Sequence, residues 1–472
     1  MMRGRTCLLL LVGAVACGDD PATECTPNAT QFCTCPHEDG RILGEETCSA
    51  EGSWGECSCV VPRDGGPPPA PRDGGRVRDA GTRDGGLPLT CVPLMTRPAS
   101  ECAIVDLVAG STHTCVLRAA GEVNCFGVDD DGRLGRDGLA APATWSRDDL
   151  LPVPGLAATA IAARNDYTCA IDEAGAAWCF GSNAFGKLGT GTTAEDLAQI
   201  DRPARVVQVR AALQLALGAN HACARDPGGL SCWGSNEHGQ LGRNVDGTAL
   251  PDDPTPMKLE PLGPVIDVAA GDGFTCAINA AGRVVCFGRN DEGQLGDGTM
   301  SPNNTSVPSL IPGARTGSAV AAGRRHTCAI LDDTTVWCWG NNAAGQLALE
   351  LRTERSTTPQ RVDIAFETPL DRAVAIRAAG DQTCVRRDDD TVVCWGAAST
   401  FCDPDGGGIT VAPRSVGWFG PYARAVAVGD GHACALRRDR LVQCIGANLG
   451  GQSAPEAPDA SCEHDDPIAI LP

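Results

Sequence analysis

Basic side chains are in short supply in this chain of 472 residues. There are 38 Lys and Arg against 59 Asp and Glu, which gives a formal net charge of −21. Binding to a nucleic-acid backbone depends on concentrated Lys and Arg, so this balance argues against a nucleic-acid partner. Solubility is a sufficient reason for the acidity. Aromatic residues are also few, at 4%, whereas Gly (58) and Pro (33) are abundant, which is typical of short strands joined by turns.

Apolar runs long enough to cross a membrane are absent as well. The run over residues 8–16 is too short to span a bilayer as a helix, and it follows a start that contains two arginines. This arrangement predicts a secretory signal peptide over residues 1–16. The sequence Ala-Val-Ala-Cys that ends at Cys17 resembles the lipobox of bacterial lipoproteins, with Ala14 in place of the usual Leu. The resemblance implies lipidation of Cys17 and a lipidated segment over 17–24. An ordinary signal peptide cut just before Cys17 is the alternative.

Cysteine, in contrast, is plentiful, with 26 residues. A cytosolic protein rarely keeps so many thiols, because cytosolic reductants prevent their pairing. Six cysteines fall within residues 25–59, a segment too short to bury a core of its own, so three disulfides are predicted there without a defined connectivity. A metal site is rejected because His37 is the only nitrogen ligand available and no C-x2-C pair occurs. These six are Cys25, Cys33, Cys35, Cys48, Cys57 and Cys59.

A linker follows over residues 60–90. It repeats Arg-Asp-Gly-Gly three times, from Arg63, Arg72 and Arg83, and it has almost no apolar residue to bury. Such a composition predicts a disordered or loosely extended tether. The Asp-Gly pairs do not form calcium loops, since no further carboxylate is spaced to close such a site.

Residues 91–472 repeat one unit seven times. Each unit holds two cysteines on either side of a polar turn, and the first cysteines of successive units stand 54, 54, 53, 52, 56 and 50 residues apart. A period of about fifty residues with several short strands predicts an all-β chain folded as a β-propeller with four-stranded blades. The pairs are Cys115/Cys125, Cys169/Cys179, Cys223/Cys232, Cys276/Cys286, Cys328/Cys338, Cys384/Cys394 and Cys434/Cys444.

The spacing of each pair predicts a disulfide across a hairpin. With a three-residue turn, Cys276 faces Cys286 from the neighbouring strand, at a Cα separation of about 4.5–5.5 Å, which is within disulfide range. In the third unit the turn is one residue shorter, and the spacing of Cys223 and Cys232 shrinks by one as well. Each bridge would contribute about 2–3 kcal/mol by restricting the unfolded chain.

The repeated phrase resembles the repeat of the regulator of chromosome condensation family. The matching motifs are Gly-x-x-His-Thr-Cys at Gly110 and Gly323, Cys-Trp-Gly at Cys232, and Asn-x-x-Gly-Gln-Leu-Gly at Asn236. The resemblance implies a seven-bladed β-propeller of four-stranded blades. It also implies that the C-terminal strand, residues 467–471, closes the ring against the first strand, residues 103–108.

Several residues that could carry chemistry are better explained by the repeat. His113, His221, His326 and His432 share one position, which Tyr167, Phe274 and Gln382 occupy in the other units. A residue that an aromatic can replace is expected to pack and to form hydrogen bonds, so no catalytic residue is assigned. Asp129, Asp130 and Asp131 fall on the Asn-x-x-Gly turn of their unit and are interpreted as a turn, not as a metal site.

Motifs for other chemistry are missing. No Gly-rich phosphate loop, Ser-centred nucleophile elbow or His-Glu-x-x-His pattern occurs. Neither a metal nor another cofactor is therefore predicted. Two further disulfides are proposed, Cys402–Cys462 between loops of neighbouring blades and Cys91–Cys102 at the start of the repeats, with Cys102–Cys462 as the alternative.

The segments that vary between units are the candidate binding surface. They follow each Gly-Gln-Leu step and should gather on one rim, where variable loops on a rigid scaffold usually provide recognition. Exposed candidates within or beside them are Trp145, Phe401, Trp418 and Tyr422. The segments are approximately residues 136–150, 190–203, 243–256, 297–308, 348–359, 397–416 and 449–466.

The sequence thus predicts a non-enzymatic lipoprotein of a bacterial cell envelope, at the outer membrane or the cell surface. Its propeller would act as a monomeric scaffold that binds a protein or glycan, with the membrane contacted through the lipid. By resemblance, the founding family member exchanges nucleotide on a nuclear GTPase, whereas a secreted inhibitor with this propeller grips a β-lactamase through loops. The alternatives are a hydrolase with its site in the propeller funnel and a guanine-nucleotide exchange factor.

Overall fold

The chain divides into two units, residues 1–84 and 85–472. In the first unit, strands β1 (Thr30–His37) and β2 (Gly40–Thr47) form an antiparallel hairpin. Cys17, the linker and the four cysteines Cys91, Cys102, Cys402 and Cys462 lie outside the described residues. The computed structural model describes residues 30–37, 40–47, 103–136, 152–193, 195, 197–245, 248–249, 251–301, 303–308, 311, 315–349, 352–365, 367–397, 409–415, 423–438, 440–446 and 468–470.

The described strands of the second unit form seven antiparallel sheets that follow one another along the chain. Sheet 1 contains β3 (Ile104–Ala109), β4 (His113–Arg118) and β5 (Val123–Gly127); sheet 2 contains β6 (Ala160–Arg164), β7 (Tyr167–Ile171), β8 (Ala177–Ser182) and β9 (Gln199–Arg205); sheet 3 contains β10 (Gln214–Leu217), β11 (His221–Asp226), β12 (Gly229–Gly234) and, after a ribbon of β13 (Asn244–Val245) and β14 (Thr248–Ala249), β15 (Asp253–Lys258).

The remaining sheets repeat this order. Sheet 4 contains β16 (Val265–Ala270), β17 (Phe274–Asn279), β18 (Val284–Gly288) and β19 (Asn303–Pro308); sheet 5 contains β20 (Gly317–Ala322), β21 (His326–Leu331), β22 (Val336–Asn341) and β23 (Arg355–Arg361), followed by a ribbon of β24 (Asp363–Ala365) and β25 (Thr368–Pro369); sheet 6 contains β26 (Ala373–Ala379), β27 (Gln382–Arg387), β28 (Val392–Ala397) and β29 (Ile409–Ser415); sheet 7 contains β30 (Ala423–Val428), β31 (His432–Arg437), β32 (Val442–Gly446) and β33 (Ile468–Ile470).

The prediction of an all-β chain is confirmed, and six of the seven sheets have the expected four strands. In sheet 1 only an isolated bridge between Asn124 and Pro152 occupies the place of a fourth strand among the described residues. Among the described residues, the helical segments are two 3-10 turns, Ala184–Gly186 and Glu260–Leu262. Within the described part of the chain, no helix has the length and apolar character needed to cross a membrane.

One prediction from the resemblance is wrong. The C-terminal strand β33 does not pair with β3; it pairs antiparallel with β32, with Cys444 opposite Ile468. It therefore supplies the fourth strand of its own sheet. Sheets 1 and 7 instead meet through side chains, since Cys434 and Leu436 share a buried apolar cluster with Ile104 and Leu107.

The first strand of every sheet lies on the inside of the unit, where residues from all seven of these strands line one cavity. In β16, Val265, Val268 and Ala270 are buried against the sheet's neighbours, while Asp267 and Ala269 are half-buried. This alternation is the period of two expected for a strand with two different environments. Five of these strands carry a bulge at their second residue, at Val105, Ile266, Ser318, Val374 and Arg424.

Three of the third strands hold neighbouring sheets together through buried tryptophans. Trp233, Trp339 and Trp395 are fully buried, and each donates its indole N–H over 2.9 Å to a backbone carbonyl of the preceding sheet. A buried indole N–H needs such an acceptor, so the contact fixes the orientation of neighbouring sheets. The three acceptors are the carbonyl oxygens of Lys187, Gln294 and Gln346.

Each sheet also carries one disulfide between its second and third strands. In the structure the bridges join the same cysteines that the hairpin spacing pairs. They are Cys115–Cys125, Cys169–Cys179, Cys223–Cys232, Cys276–Cys286, Cys328–Cys338, Cys384–Cys394 and Cys434–Cys444. All fourteen of these cysteines are therefore in disulfides, and none of them is available as a thiol nucleophile.

The geometry of these pairs differs from the expected one in a single respect. The two cysteines of every pair stand directly opposite each other, and in sheet 3 the shorter turn keeps Cys223 opposite Cys232. However, their Cα atoms are only 4.0–4.1 Å apart, closer than the expected 4.5–5.5 Å. Antiparallel strands contain two kinds of directly opposed residue pair. In the closer kind, the residues exchange no backbone hydrogen bonds and their Cα atoms are about 4.5 Å apart. A short covalent bridge draws such a pair still closer together.

The other predicted disulfides are not described. Those expected between Cys402 and Cys462, between Cys91 and Cys102, and within residues 25–59 depend on side chains outside the described part of the chain. They stay predictions.

Candidate functional site

Three of the four repeated histidines join consecutive sheets. His113 Nε2 lies 2.8 Å from Thr168 Oγ1 in the next sheet, and His221 Nε2 lies 2.8 Å from Thr275 Oγ1. The same contact joins His326 to Thr383, at 2.7 Å. All four histidines are fully buried. The position predicted to pack and to form hydrogen bonds has that role in the structure.

Burial keeps these imidazoles neutral. It lowers the pKa of His113, His221 and His326 to about 3 and that of His432 to about 4. Desolvation of the charged form is the main cause at each of them. A histidine with such a pKa cannot exchange protons near neutral pH, so these residues are poor candidates for general acid–base catalysis.

Steric crowding explains why the residue three positions before each histidine is a glycine. A Cβ added at Gly323 would collide with the imidazole of His326, which lies against the glycine backbone. Gly110 has the same relation to His113. In sheets 2 and 6, where no histidine follows, the corresponding residues are Arg164 and Ala379, each paired across its turn with the substitute residue.

The three sheets without histidine make this junction differently. Tyr167 donates its hydroxyl to the carbonyls of Gly218 and His221 in sheet 3, at 3.0 and 2.7 Å. Phe274 is fully buried and packs without a polar group. Gln382 is also fully buried, but neither its amide nitrogen nor its amide oxygen has a hydrogen-bond partner among the described residues. Sheet 7 has Ala433 where the histidine junctions have a threonine.

In sheets 1 to 5 the turn after the third strand is closed by its first side chain. Asn183, Asn236, Asn290 and Asn342 each accept, through Oδ1, the backbone N–H of the leucine five residues later, at 2.9–3.2 Å. Asp129 does the same for its own leucine, at 2.9 Å. Within the described ranges, no group of three His, Cys, Asp or Glu side chains could hold a metal ion.

The segments after these turns form the candidate recognition surface, called here the loop face. Neighbouring segments touch where they are described: Gly191 N donates to Pro254 O at 3.1 Å, and Gly298 N donates to Thr357 O at 2.9 Å. The predicted binding residues Trp145, Phe401, Trp418 and Tyr422 lie outside the described residues. The large apolar side chains that the structure shows exposed on these turns and segments are Phe185, Leu197 and Met300.

Phe185 is a surface residue that the sequence reasoning missed. It occupies the third position of the Asn-x-x-Gly turn, has a positive φ of 60°, and is 43% exposed. Asp131, His238, Glu292 and Ala344 stand at that position in other sheets. Variation at one position of a fixed turn is the signal that could have identified it.

The opposite face, called here the bulge face, lies at the start of the first strands. In an antiparallel sheet this end is remote from the segments that follow the third strand. Four aliphatic side chains are exposed here, at equivalent positions in four sheets, and three of them are bulged residues. They are Val105, Leu213, Ile266 and Val374.

Between the two faces lies a cavity of about 300 Å³. Arg164 crosses one end of it, because its Nη1 donates to the carbonyls of Ala322 in sheet 5 and Ala378 in sheet 6. Its Nη2 lies 3.4 Å from Asp272 Oδ1 in sheet 4. The arginine thus ties four sheets together at the end of the cavity nearest the loop face.

Known proteins share this repeat over part of their length. E3 ubiquitin-protein ligase HERC2 of Mus musculus is 28% identical over 251 residues, which is 52% of this chain and 5% of HERC2. Ultraviolet-B receptor UVR8 of Arabidopsis thaliana is 27% identical over 274 residues, 56% of this chain and 59% of UVR8. This chain therefore spans less than two thirds of each of these relatives.

Solved structures show the same fold. Yeast RCC1 (Prp20), bound to Kap60, has a TM-score of 0.56 at 20% identity over 71% of this chain and 80% of that chain. Human WBSCR16 has a TM-score of 0.56 at 19% identity, covering 65% of this chain and 79% of that chain. The model of the RCC1-like domain matches residues 79–402, and that of the regulator of chromosome condensation (RCC1) repeat matches residues 423–452. Because the first match spans more than half of its length, this chain belongs to the RCC1-like domain family.

Proposed function

We propose that this protein is a non-enzymatic binding scaffold: an exported bacterial lipoprotein, anchored through lipid on Cys17, whose loop face binds a protein or glycan. Its seven sheets form a closed, monomeric seven-bladed propeller. Closure is supported by the hydrogen bond between His432 in sheet 7 and Thr114 in sheet 1, which has the same geometry as the junctions between consecutive sheets.

One observation carries the binding role. The repeated His and Cys residues are of the types best suited to catalysis. In the described sheets, however, they are buried, and they form hydrogen bonds between sheets or disulfides within them. What varies between sheets is exposed on the loop face, including Phe185, Leu197 and Met300. A fixed scaffold with variable, partly apolar loops is the usual arrangement of a recognition surface.

The loop face is tested by capture and mutation together. The full chain is immobilised, exposed to cell-envelope extract, and the retained proteins and glycans are identified. The triple variant Phe185→Ser, Leu197→Ser, Met300→Ser should reduce the capture of a specific ligand about tenfold or more, which corresponds to about 1.4 kcal/mol of binding free energy.

The matched control changes three exposed aliphatic residues of the bulge face, Val105→Ser, Ile266→Ser and Val374→Ser. Capture should survive these changes. Loss of the ligand only in this control would place recognition on the bulge face and would contradict the assignment of the loop face. Turnover of a substrate panel without any captured ligand would contradict the scaffold role and favour a hydrolase.

Lipid attachment has its own test. The variant Cys17→Ser should lose incorporation of labelled fatty acid and should leave the membrane fraction, because stable anchoring needs the acyl chains. A Cys17→Ser protein that keeps its label and its membrane association would exclude this anchor. It would leave the assignment of the loop face untouched.

A further inference from the structure

The central cavity is lined by four charged side chains, and the protein already engages two of them. Asp267 accepts hydrogen bonds from Gln214 Nε2 and from two backbone N–H groups. Arg164 donates to two carbonyls across the cavity and contacts a carboxylate. The remaining two, Asp106 and Arg377, are much less occupied and are the candidates for binding something that enters the cavity.

Arg377 presents a free edge. Of its guanidinium nitrogens, Nη1 donates to the carbonyl of Ile376 at 3.0 Å. The Nε and Nη2 groups have no acceptor among the described residues. This is the edge of a guanidinium that can hold a carboxylate through two parallel hydrogen bonds. Arg377 is exposed although it lies on an inner strand, so its guanidinium is accessible from the cavity.

Asp106 presents the complementary charge. Its Oδ1 accepts the N–H of Leu107 at 2.9 Å, and Oδ2 has no donor among the described residues. Burial raises the pKa of this carboxyl, and the charge of Arg377 acts on it in the opposite direction. The charges of Arg377 and Asp106 therefore interact. In the described part of the chain, however, they form no direct ion pair.

The charge balance selects the ligand. Asp106, Asp267, Arg164 and Arg377 are the charged residues lining the cavity, two of each sign, so their formal charges sum to zero. An added anion or cation would leave an unbalanced charge beside the half-buried carboxylates of Asp106 and Asp267, which is costly. A molecule with one group of each sign would not.

We propose that the cavity binds a small zwitterion of the α-amino-acid class. The ligand carboxylate lies on the Nε and Nη2 edge of Arg377, and the ligand ammonium lies at the free oxygen of Asp106. The site lies between the sheets and does not involve the exposed residues of the loop face, so it does not depend on the proposed scaffold role.

The walls fit an aliphatic side chain. The residues facing the cavity between the charged groups are small and apolar, among them Val108, Ala162, Ala269, Ala321 and Ala427. A volume of about 300 Å³ is at the lower end of ligand pockets, which suits a ligand of amino-acid size. Because Arg164 crosses the end nearest the loop face, the ligand enters from the bulge face.

The ligand class is tested by calorimetric titration of the full, disulfide-bonded chain with three probes of one skeleton. L-Valine carries both charges, isovalerate lacks the ammonium group, and isobutylamine lacks the carboxylate. Saturable binding of valine is expected, with affinity for the two single-charge probes about tenfold weaker or worse. No saturable binding of valine, or equal binding of all three probes, overturns the proposal.

Two substitutions place the site. Arg377→Gln should weaken valine and isovalerate about tenfold and leave isobutylamine unchanged, whereas Asp106→Asn should weaken valine and isobutylamine and leave isovalerate unchanged. The matched controls are Arg361→Gln and Asp363→Asn, an exposed ion pair away from the cavity. Valine affinity that survives both cavity substitutions overturns the site. Should either variant fail to fold, the selectivity of the unmodified chain among the three probes decides the matter.

Discussion

The imidazole Nε2 of His432 lies 2.8 Å from the hydroxyl oxygen of Thr114, although the two residues are 318 positions apart in the sequence. Both side chains are fully buried. The contact joins the last sheet to the first with the geometry that joins His113 to Thr168 between adjacent sheets. The chain therefore uses one type of junction both between consecutive repeats and between its two extremes.

Removing the hydroxyl of Thr114 should weaken that junction. In Thr114→Val the shape is kept, but His432 Nε2 loses its buried partner. Leaving one buried polar group unpaired costs about 1–3 kcal/mol of unfolding free energy. Urea unfolding of the full chain measures the loss, with Thr353→Val at an exposed loop position as the control. Equal stability of Thr114→Val and the control would show that the hydrogen bond contributes nothing.

Adding a hydroxyl between sheets 6 and 7 should have the opposite effect. Gln382 is buried with both ends of its amide unpaired among the described residues, and Ala433 occupies the position where the histidine junctions have threonine. Ala433→Thr is expected to raise the unfolding free energy by about 0.5–1.5 kcal/mol, the usual net contribution of one hydrogen bond. The same change in a Gln382→Leu background should give no gain. A gain of equal size in both backgrounds would assign the effect to packing alone.

The stability of the protein should fall in mild acid. In the unfolded chain a histidine has a pKa of about 6.5, whereas in the folded chain the pKa of His221 is about 3. Between these values the unfolded chain binds more protons, so stability present above about pH 6.5 is lost as the pH falls. Each such histidine contributes about 1.4 kcal/mol per pH unit in this window.

The histidine contribution can be isolated by substitution. Burial raises the pKa of Asp106, Asp267 and Asp272, and these carboxyls act in the opposite direction, because they hold protons more tightly in the folded chain. The substitution His221→Phe introduces the residue that sheet 4 has at this position. It should reduce the dependence of the unfolding free energy on pH by the contribution of one histidine. Unfolding free energies between about pH 7 and pH 5 measure both slopes. Identical slopes would mean that His221 binds protons equally in the folded and unfolded states, so that folding does not lower its pKa.

The repeated glycine should tolerate no side chain while its histidine is present. Gly323→Ala would place a methyl group against the imidazole of His326, an overpacking expected to cost about 1–3 kcal/mol. In a His326→Ala background the same substitution should cost less, although not nothing, because the added Cβ would still lie 2.8 Å from the backbone oxygen of Gly380. Thermal unfolding of the four proteins gives the coupling energy. An equal cost in both backgrounds would show that the imidazole makes no contribution and that the backbone contact alone excludes the side chain.

Much of the fold could be predicted from sequence because it is carried by short-range periodicity. The turn length between Cys223 and Cys232 fixes their register, and the exchange of His113 for Tyr167 in the next repeat indicates a packing position. The place of the last strand could not be predicted in this way. Both β32 and β3 contain apolar residues, so either could be the partner of the last strand. Only the three-dimensional arrangement shows that the partner is β32.

The cavity was not predictable either, for a different reason. Arg164 stands where most other repeats have glycine, and Arg377 stands where they have small apolar residues. As isolated exceptions to a repeat, they resemble tolerated substitutions. Their long side chains reach into a space that is formed jointly by seven strands distant in sequence. A local sequence pattern cannot reveal such a space.

The way each sheet takes its strands from one continuous stretch of chain has a consequence for the order of folding. Contacts between strands adjacent in sequence form early because little chain entropy opposes them. Each disulfide can therefore be formed as soon as its own hairpin exists, without waiting for later repeats. The step that remains is the meeting of Thr114 with His432, which must close a loop of 318 residues. We expect that last closure to set the time at which the native protein appears.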